Sequence, residues 1–104
     1  MDPAPALPVG RFSLERLGGL LPPLGPMVKE IGPDGRGVTR VGPLHMPFRC
    51  EPADGTIRLR YPWTAGLLVD ELRPQPDGSW LGEGRFLGRR YGSFRMRPRC
   101  SEVT

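Results

Sequence analysis

Two adjacent carboxylates, Asp70 and Glu71, interrupt the apolar stretch Leu-Leu-Val-Asp-Glu-Leu at residues 67–72. Neighbouring residues of a β-strand point to opposite faces, so one of the two is expected to face the core. A buried carboxylate needs a partner, because desolvating it alone is costly. The expected partners lie on neighbouring predicted strands: Arg85, Arg95 and Arg97. Three roles are open: a structural cross-strand ion pair, a polar anchor that orients a ligand, or a general base with a perturbed pKa.

A second group of residues could form an apolar pocket. Trp80, Gly82, Gly84 and Phe86 alternate along one predicted strand and therefore share a face. Glycine leaves volume beside an aromatic side chain, which favours a pocket for a small hydrophobic ligand. Together with residues of earlier strands, the expected ligand-binding set is Leu59, Tyr61, Asp70, Glu71, Trp80, Phe86 and Arg95.

The arginine-rich C-terminal part gives an alternative interpretation. Five arginines lie there with aromatic residues between them, as in proteins that stack single-stranded nucleic acid on rings and pair its phosphates with arginine: Arg85, Arg89, Arg90, Arg95 and Arg97. That function requires outward-facing rings, whereas a pocket requires inward-facing ones. Phe94 alternates with the arginines and is therefore expected in the core.

Metal and cofactor chemistry has no support in the sequence. The one His and two Cys stand at distant positions, without the spacing of a zinc site. The glycines from Gly82 to Gly88 precede neither a helix nor the Lys-Ser/Thr of a phosphate-binding loop. We therefore expect no metal and no cofactor, and these patterns identify no catalytic residues.

The elements that must position these residues are short strands. Apolar residues alternate with polar ones from Met27 onward, and tight turns punctuate them at Gly32-Pro33-Asp34-Gly35, Pro52-Ala53-Asp54-Gly55 and Gln75-Pro76-Asp77-Gly78. The pattern predicts a mainly β fold, an antiparallel meander of six to seven strands that forms a small barrel or a half-barrel. A half-barrel could pair with a second copy as a homodimer. Leu14, Leu17, Leu20 and Leu21 fall at helical spacing and predict one short N-terminal helix at Phe12–Leu21.

The length of 104 residues indicates one domain. Three prolines in residues 1–11 predict an extended or disordered segment, followed by a single β domain over residues 12–104. The N-terminus has no basic and apolar leader, and no run approaches the roughly 18 apolar residues of a transmembrane helix. We expect a cytoplasmic protein without a membrane span. The formal charge is +4, and fourteen of the fifteen basic residues are arginine.

Residues 59–98, LRYPWTAGLLVDELRPQPDGSWLGEGRFLGRRYGSFRMRP, resemble the last strands of lipocalin-like (calycin) β-barrels of small bacterial proteins. They are similar in particular to GXWXG-type domains, through Asp70-Glu71-Leu72-Arg73 and Trp80-Leu81-Gly82. The resemblance covers about 40 of the 104 residues. It implies a β-barrel that holds a small apolar ligand, with no catalytic residues to transfer.

These observations predict a non-enzymatic protein that binds a small hydrophobic or lipid-like ligand in a β-barrel pocket. The alternatives are a single-stranded nucleic-acid-binding module that uses the arginine-rich hairpin, and a small enzyme that acts on an apolar substrate with the inward carboxylate as base. The predictions differ in where the aromatic side chains and the acidic pair must point.

Overall fold

The computed structural model describes residues 6–19 and 27–99 and shows a closed barrel of eight antiparallel strands, more than the six to seven predicted, because the segment predicted as a helix is also a strand. Each strand pairs with its neighbours in sequence, and β1 also pairs with β8, which closes the barrel. The strands are β1 (Gly10–Gly19), β2 (Met27–Ile31), β3 (Arg36–Val41), β4 (Leu44–Ala53), β5 (Thr56–Arg60), β6 (Leu68–Pro74), β7 (Trp80–Phe86) and β8 (Arg89–Pro98). One turn of 3₁₀ helix, Pro62–Thr64, lies between β5 and β6. None of the described residues belongs to a helix long and apolar enough to cross a membrane.

The helix predicted at Phe12–Leu21 is wrong over the part that the structure describes. Residues 10–19 form β1, while Leu20 and Leu21 lie outside the described residues. β1 forms ladders with β2 on one side and β8 on the other. Those two partners would otherwise expose unpaired strand edges, so barrel closure outweighs the helical spacing of the leucines. Phe12 is buried in the core, and Leu14 packs against it.

Consecutive connections of this meander lie at opposite ends of the barrel. We call the end with the β3–β4, β5–β6 and β7–β8 connections the upper end, and the end with the other three described connections the lower end. The three predicted Asp-Gly turns are all at the lower end, at residues 32–35, 52–55 and 75–78. In the last of them Asp77 accepts a hydrogen bond from the backbone N–H of Ser79 at 2.9 Å, and Gly78 has a φ of 87°.

The core fills the barrel from the lower end upward. Its buried hydrophobic members come from seven strands and the residue after β5: Phe12, Ile31, Phe48, Ile57, Leu59, Tyr61, Leu72, Trp80, Phe94 and Met96. Alternation along the predicted strands placed Phe94 and Met96 inward, and both are buried. An eight-stranded barrel of this kind has an interior just wide enough for side chains or for one small ligand.

The sequence predicted that the glycines of β7 leave open space beside Trp80, and the structure shows that they do not. Phe94 on β8 stands directly opposite Gly82, and its ring occupies the place where a Cβ of residue 82 would be. A Cβ at Gly84 would lie 2.5 Å from Cζ of Tyr91. The glycines therefore admit aromatic rings from the neighbouring strand, and any pocket must lie elsewhere in the barrel.

Candidate functional site

A lysine lies inside the barrel among the apolar side chains. Alternation along β2 puts Lys29 on the same face as Ile31, and only 2% of Lys29 is exposed. It is the one lysine in the sequence. Desolvation of an ammonium group is costly, so a buried lysine requires both a counter-charge and hydrogen-bond acceptors.

Three residues from other elements supply what Lys29 needs. Its Nζ donates hydrogen bonds to Oγ1 of Thr39 at 2.7 Å, to the hydroxyl of Tyr61 at 2.8 Å and to Oδ2 of Asp70 at 3.0 Å. The Tyr61 hydroxyl also donates to Oδ2 of Asp70 at 2.8 Å and lies 2.9 Å from Oγ1 of Thr39. We call Lys29, Thr39, Tyr61 and Asp70 the polar quartet. It holds one ammonium and one carboxylate, so its formal charge is zero.

Counting the protons of the quartet shows what it can still bind. The three N–H groups of Lys29 donate to Thr39, Tyr61 and Asp70, and the hydroxyl of Tyr61 donates to Asp70. The Thr39 hydroxyl is therefore the donor in its hydrogen bond with the Tyr61 oxygen. Both hydrogen bonds to Asp70 reach Oδ2, and no described residue donates to Oδ1. The quartet therefore still offers one hydrogen-bond acceptor, Oδ1 of Asp70, which suits the hydroxyl or N–H group of a ligand.

Aromatic rings enclose the ammonium group. Nζ of Lys29 lies 5.3 Å from the ring centroid of Phe48, 5.5 Å from that of Tyr61 and 5.6 Å from that of Phe94. These distances are within the range of cation–π attraction. Phe48 and Tyr61 also meet edge to face, with centroids 5.5 Å apart. The rings fix the position of the charge and separate it from water.

Burial keeps the tyrosines of this region neutral. Desolvation, followed by the negative charge of Asp70, raises the pKa of Tyr61 well above its ordinary value. Desolvation also raises the pKa of Tyr91 to about 12, and the charges of Asp70 and Lys29 both act on that phenol. Tyr61 therefore remains a hydroxyl donor at neutral pH, and Tyr91 lies within electrostatic reach of the quartet.

The quartet lies close to the upper end of the barrel. On β2, β3 and β6 the first inward positions from that end are Met27, Val41 and Leu68, and the quartet residues are the next ones. Apart from Val41, which is buried, the inward side chains near this end are only half-buried, unlike those of the core below. They form what we call the mouth: Leu14, Met46, Leu68 and Tyr91. An apolar mouth above a few polar groups is the usual composition of a small-molecule site.

The structure brings only some of the predicted ligand-binding residues together. Leu59, Tyr61, Asp70 and Trp80 are buried inside the barrel. Tyr61 and Asp70 belong to the quartet, while Leu59 is in the core and Trp80 begins β7 at the lower end.

Of the other three predicted residues, two lie on the outer surface and one is at the exposed edge of the mouth. Glu71 is outward and approaches Arg58 at 3.8 Å and Arg73 at 3.4 Å. Arg95 alternates with the buried Phe94 and Met96 and therefore also faces outward. Phe86 stands directly opposite the inward Leu68 across β6 and β7, so it is on the inner face of the barrel at the upper end, where it is 47% exposed. These positions separate Glu71 and Arg95 from the quartet, whereas Phe86 is beside Leu68 at the mouth.

The expected partner of the inward carboxylate is also corrected. Asp70 is the inward member of the acidic pair, but it pairs with Lys29 and not with Arg85, Arg95 or Arg97. Arg85, Arg95 and Arg97 alternate with inward residues of β7 and β8, so their side chains are on the outside of the sheet.

Sequence reasoning missed Lys29 and Thr39. A signal for Lys29 was present, because Met27, Lys29 and Ile31 share one face of a correctly predicted strand. Thr39 gave no comparable signal, since threonine is common on both faces of strands. Only the closed barrel shows that β2, β3 and β6 meet across its interior.

The arginine-rich hairpin has its rings mostly inward. Phe94 is buried, and Tyr91 is half-buried against Gly84. Phe86 alone of these aromatic residues is exposed, near Arg89 and Arg90 of the hairpin tip. A stacking surface for several bases needs more than one exposed ring.

Comparison of the chain with protein-family models, with curated proteins and with solved structures gives no match. The closed eight-stranded antiparallel meander is consistent with a calycin-like fold, and no family match confirms that the chain is a lipocalin. A small barrel of this architecture is compatible with ligand binding. Function must therefore be inferred from the geometry of the mouth and the polar quartet.

Proposed function

We propose that the protein is a non-enzymatic binder of a small lipid-like amphiphile that carries a hydroxyl group. Its apolar body would lie in the mouth, against Leu14, Met46 and Leu68, and its hydroxyl would donate to Oδ1 of Asp70. The observation that carries this proposal is the polar quartet itself, an ion pair kept within an apolar barrel directly below half-buried apolar side chains.

Stability alone does not account for the buried pair. Replacing such a pair with apolar residues of similar volume is often neutral or stabilising by about 1–4 kcal/mol. A site that must recognise a polar group does need it, because a buried acceptor is only held in place by further charged or hydrogen-bonding groups. Asp70 has this support from Lys29 and Tyr61.

The same interactions favour binding over catalysis. Oδ2 of Asp70 already accepts two hydrogen bonds, and the ammonium of Lys29 lies 3.0 Å away. All three N–H groups of that ammonium are used within the quartet. The groups are thus arranged to hold one another in place, as in a site that orients a ligand.

The chemical selectivity of binding tests the proposal. Isothermal titration calorimetry would compare decanol with decanoate, which share the apolar chain. We expect decanol to bind at least about tenfold more tightly, since decanoate would bring a second negative charge to Asp70. Equal affinity for the two compounds, or no binding of either, would contradict the proposal.

A matched pair of variants locates the site. Leu68→Trp adds bulk to the mouth and should abolish decanol binding, whereas Val69→Trp adds it to the outward face of the same strand and should preserve binding. Urea unfolding of both variants checks that they remain folded. Equal binding by folded Leu68→Trp would place the ligand elsewhere.

A further inference from the structure

Exposed apolar side chains are concentrated at one end of the barrel. The described residues include seven exposed large hydrophobic side chains, and Val9 alone lies at the lower end. The other six are at the upper end, and we call them the apolar rim: Leu17, Leu44, Trp63, Leu67, Phe86 and Leu87. Single exposed apolar residues are ordinary on a protein surface, but their collection at one end marks an interaction site.

Leu87 is placed where turn chemistry disfavours it. It forms the β7–β8 turn with Gly88, and the two have φ values of 55° and 78°. A two-residue turn with positive φ at both positions favours Asn, Asp or Gly at the first, because a larger side chain is strained there. Leu87 is also 64% exposed, so it gains little from packing. Neither turn stability nor the core explains a leucine at this tip.

Trp63 is arranged so that its ring can enter an apolar medium. Its side chain is 56% exposed, and its indole N–H donates to the backbone carbonyl of Pro47 at 3.0 Å. The ring also meets Tyr61 edge to face, with centroids 6.2 Å apart. Because the N–H group is already paired, burial of the ring leaves no unsatisfied donor.

Positive charge predominates around the apolar rim, although Glu51 on β4 approaches Arg60 at 3.0 Å. The upper-end stretches 16–19, 41–45, 60–69 and 85–90 contain five arginines and neither Asp nor Glu. Three of the arginines are at the tip of the β7–β8 hairpin. Glu83, which lies on β7 below this tip, approaches Arg85 at 3.2 Å and Arg90 at 3.8 Å. The three Asp-Gly turns are at the opposite end. The partner of the rim should therefore be apolar and negatively charged.

We propose that the apolar rim docks on the surface of an anionic phospholipid bilayer. Trp63, Leu87 and Phe86 would enter the interface between headgroups and acyl chains, and Arg89 and Arg90 would meet the phosphates. A second copy fits the same surface less well, because rim-to-rim pairing about a twofold axis would oppose arginine to arginine. This docking does not depend on the ligand proposed for the mouth.

Vesicle co-sedimentation tests the docking. The protein should bind phosphatidylcholine vesicles that contain about one third phosphatidylglycerol, and bind pure phosphatidylcholine vesicles far more weakly. Arg89→Ala/Arg90→Ala should weaken partitioning about 25-fold, at about fivefold per arginine. Arg97→Ala/Arg99→Ala removes the same charge from the lower end of the barrel and should have little effect. Equal losses in the two double variants would overturn the assigned orientation.

Leu87→Asn separates docking from folding. Asparagine suits the turn, so the variant should melt at a higher temperature than the original chain, yet partition about tenfold less. Val9→Asn at the lower end is its control. Brominated acyl chains should quench the fluorescence of Trp63 in bound protein, and Trp63→Phe should remove that quenching. Partitioning unchanged in Leu87→Asn would overturn the proposal.

The remaining outcomes are also decisive. Equal binding to neutral and anionic vesicles, or no binding to either, would overturn the docking proposal. A dimer in solution that Leu87→Asn converts to a monomer would assign the rim to a second copy. Leu68→Trp, which fills the mouth, should still bind vesicles, so failure of the ligand proposal and failure of docking are distinguishable.

Discussion

The buried ion pair gives the most informative test of the barrel interior. Lys29 and Asp70 lie 3.0 Å apart, and their side chains are 2% and 6% exposed. Arg60 and Glu51 on the outer surface are also 3.0 Å apart, with exposures of 48% and 47%. The two pairs have the same separation and differ in burial, so the exposed pair is a matched control.

Removing one partner of the buried pair should be severe. Lys29→Met leaves the Asp70 carboxylate with the Tyr61 hydroxyl as its described donor, and Asp70→Leu leaves the ammonium without a counter-charge. Each change should lower the free energy of unfolding by about 3–5 kcal/mol. That is a large share of the roughly 5–15 kcal/mol that stabilises a domain. Arg60→Met or Glu51→Leu should cost at most about 1 kcal/mol.

The double variant separates stability from specificity. In Lys29→Met/Asp70→Leu, Thr39 and Tyr61 keep their mutual 2.9 Å hydrogen bond, so no charge is left buried. We expect it to cost at least about 3 kcal/mol less than the sum of the single changes. It should also lose the preference for decanol over decanoate while remaining folded, because the acceptor Oδ1 of Asp70 is gone.

Urea unfolding followed by far-ultraviolet circular dichroism measures all these variants. A cost of Lys29→Met no greater than that of Arg60→Met would refute the burial of the pair, since it would mean that water reaches these charges. A double variant that costs the full sum of the singles would refute the coupling between them. In that case each charge would be stabilised independently by other neighbouring groups.

Particular residues give three further predictions. Gly82→Ala should destabilise the barrel by about 1–3 kcal/mol in urea unfolding, because the added methyl group would overlap the Phe94 ring. Gly18→Ala is the control: its added methyl group would lie at an ordinary 3.7 Å from Oγ of Ser93, so it should change the free energy of unfolding very little. Burial raises the pKa of the Cys50 thiol from 9.0 to about 11, so the stability that the neutral thiol contributes is complete below about pH 9 and is lost as pH rises through 11. Cys50→Ala should therefore flatten the alkaline decline of the free energy of unfolding in urea. A decline that is unchanged in Cys50→Ala would contradict this prediction. If the hairpin binds single-stranded nucleic acid, its affinity should fall steeply with salt concentration. Arg89→Ala/Arg90→Ala should then reduce the slope of log affinity against log salt by roughly one for each arginine–phosphate pair removed. We expect fluorescence anisotropy with labelled oligonucleotides to show no such salt-dependent binding.

Local sequence patterns were sufficient to predict most of the strands and turns. The alternation that was noted from Met27 onward corresponds to β2, and the alternation at Phe94 and Met96 gave the correct faces. Such predictions succeed because strand alternation and turn chemistry depend on neighbouring residues. The same alternation showed that one of Asp70 and Glu71 must point inward, and the structure identifies it as Asp70.

The tertiary structure decided everything that depends on closure. Leucine spacing favoured a helix at residues 12–21, but closing the sheet required a strand between β2 and β8. The volume beside Gly82 was filled by Phe94, from a strand whose register the sequence does not contain.

The partner of Asp70 was decided in the same way. Lys29 lies 41 residues away along the chain, and its place on the apolar face of its strand does not show which carboxylate it meets. The sequence by itself determined most of the strands after β1, the faces of Phe94 and Met96, and the need for a buried counter-charge. Which cation would supply that charge depended on barrel closure, because only closure brings β2 and β6 to face each other across the interior.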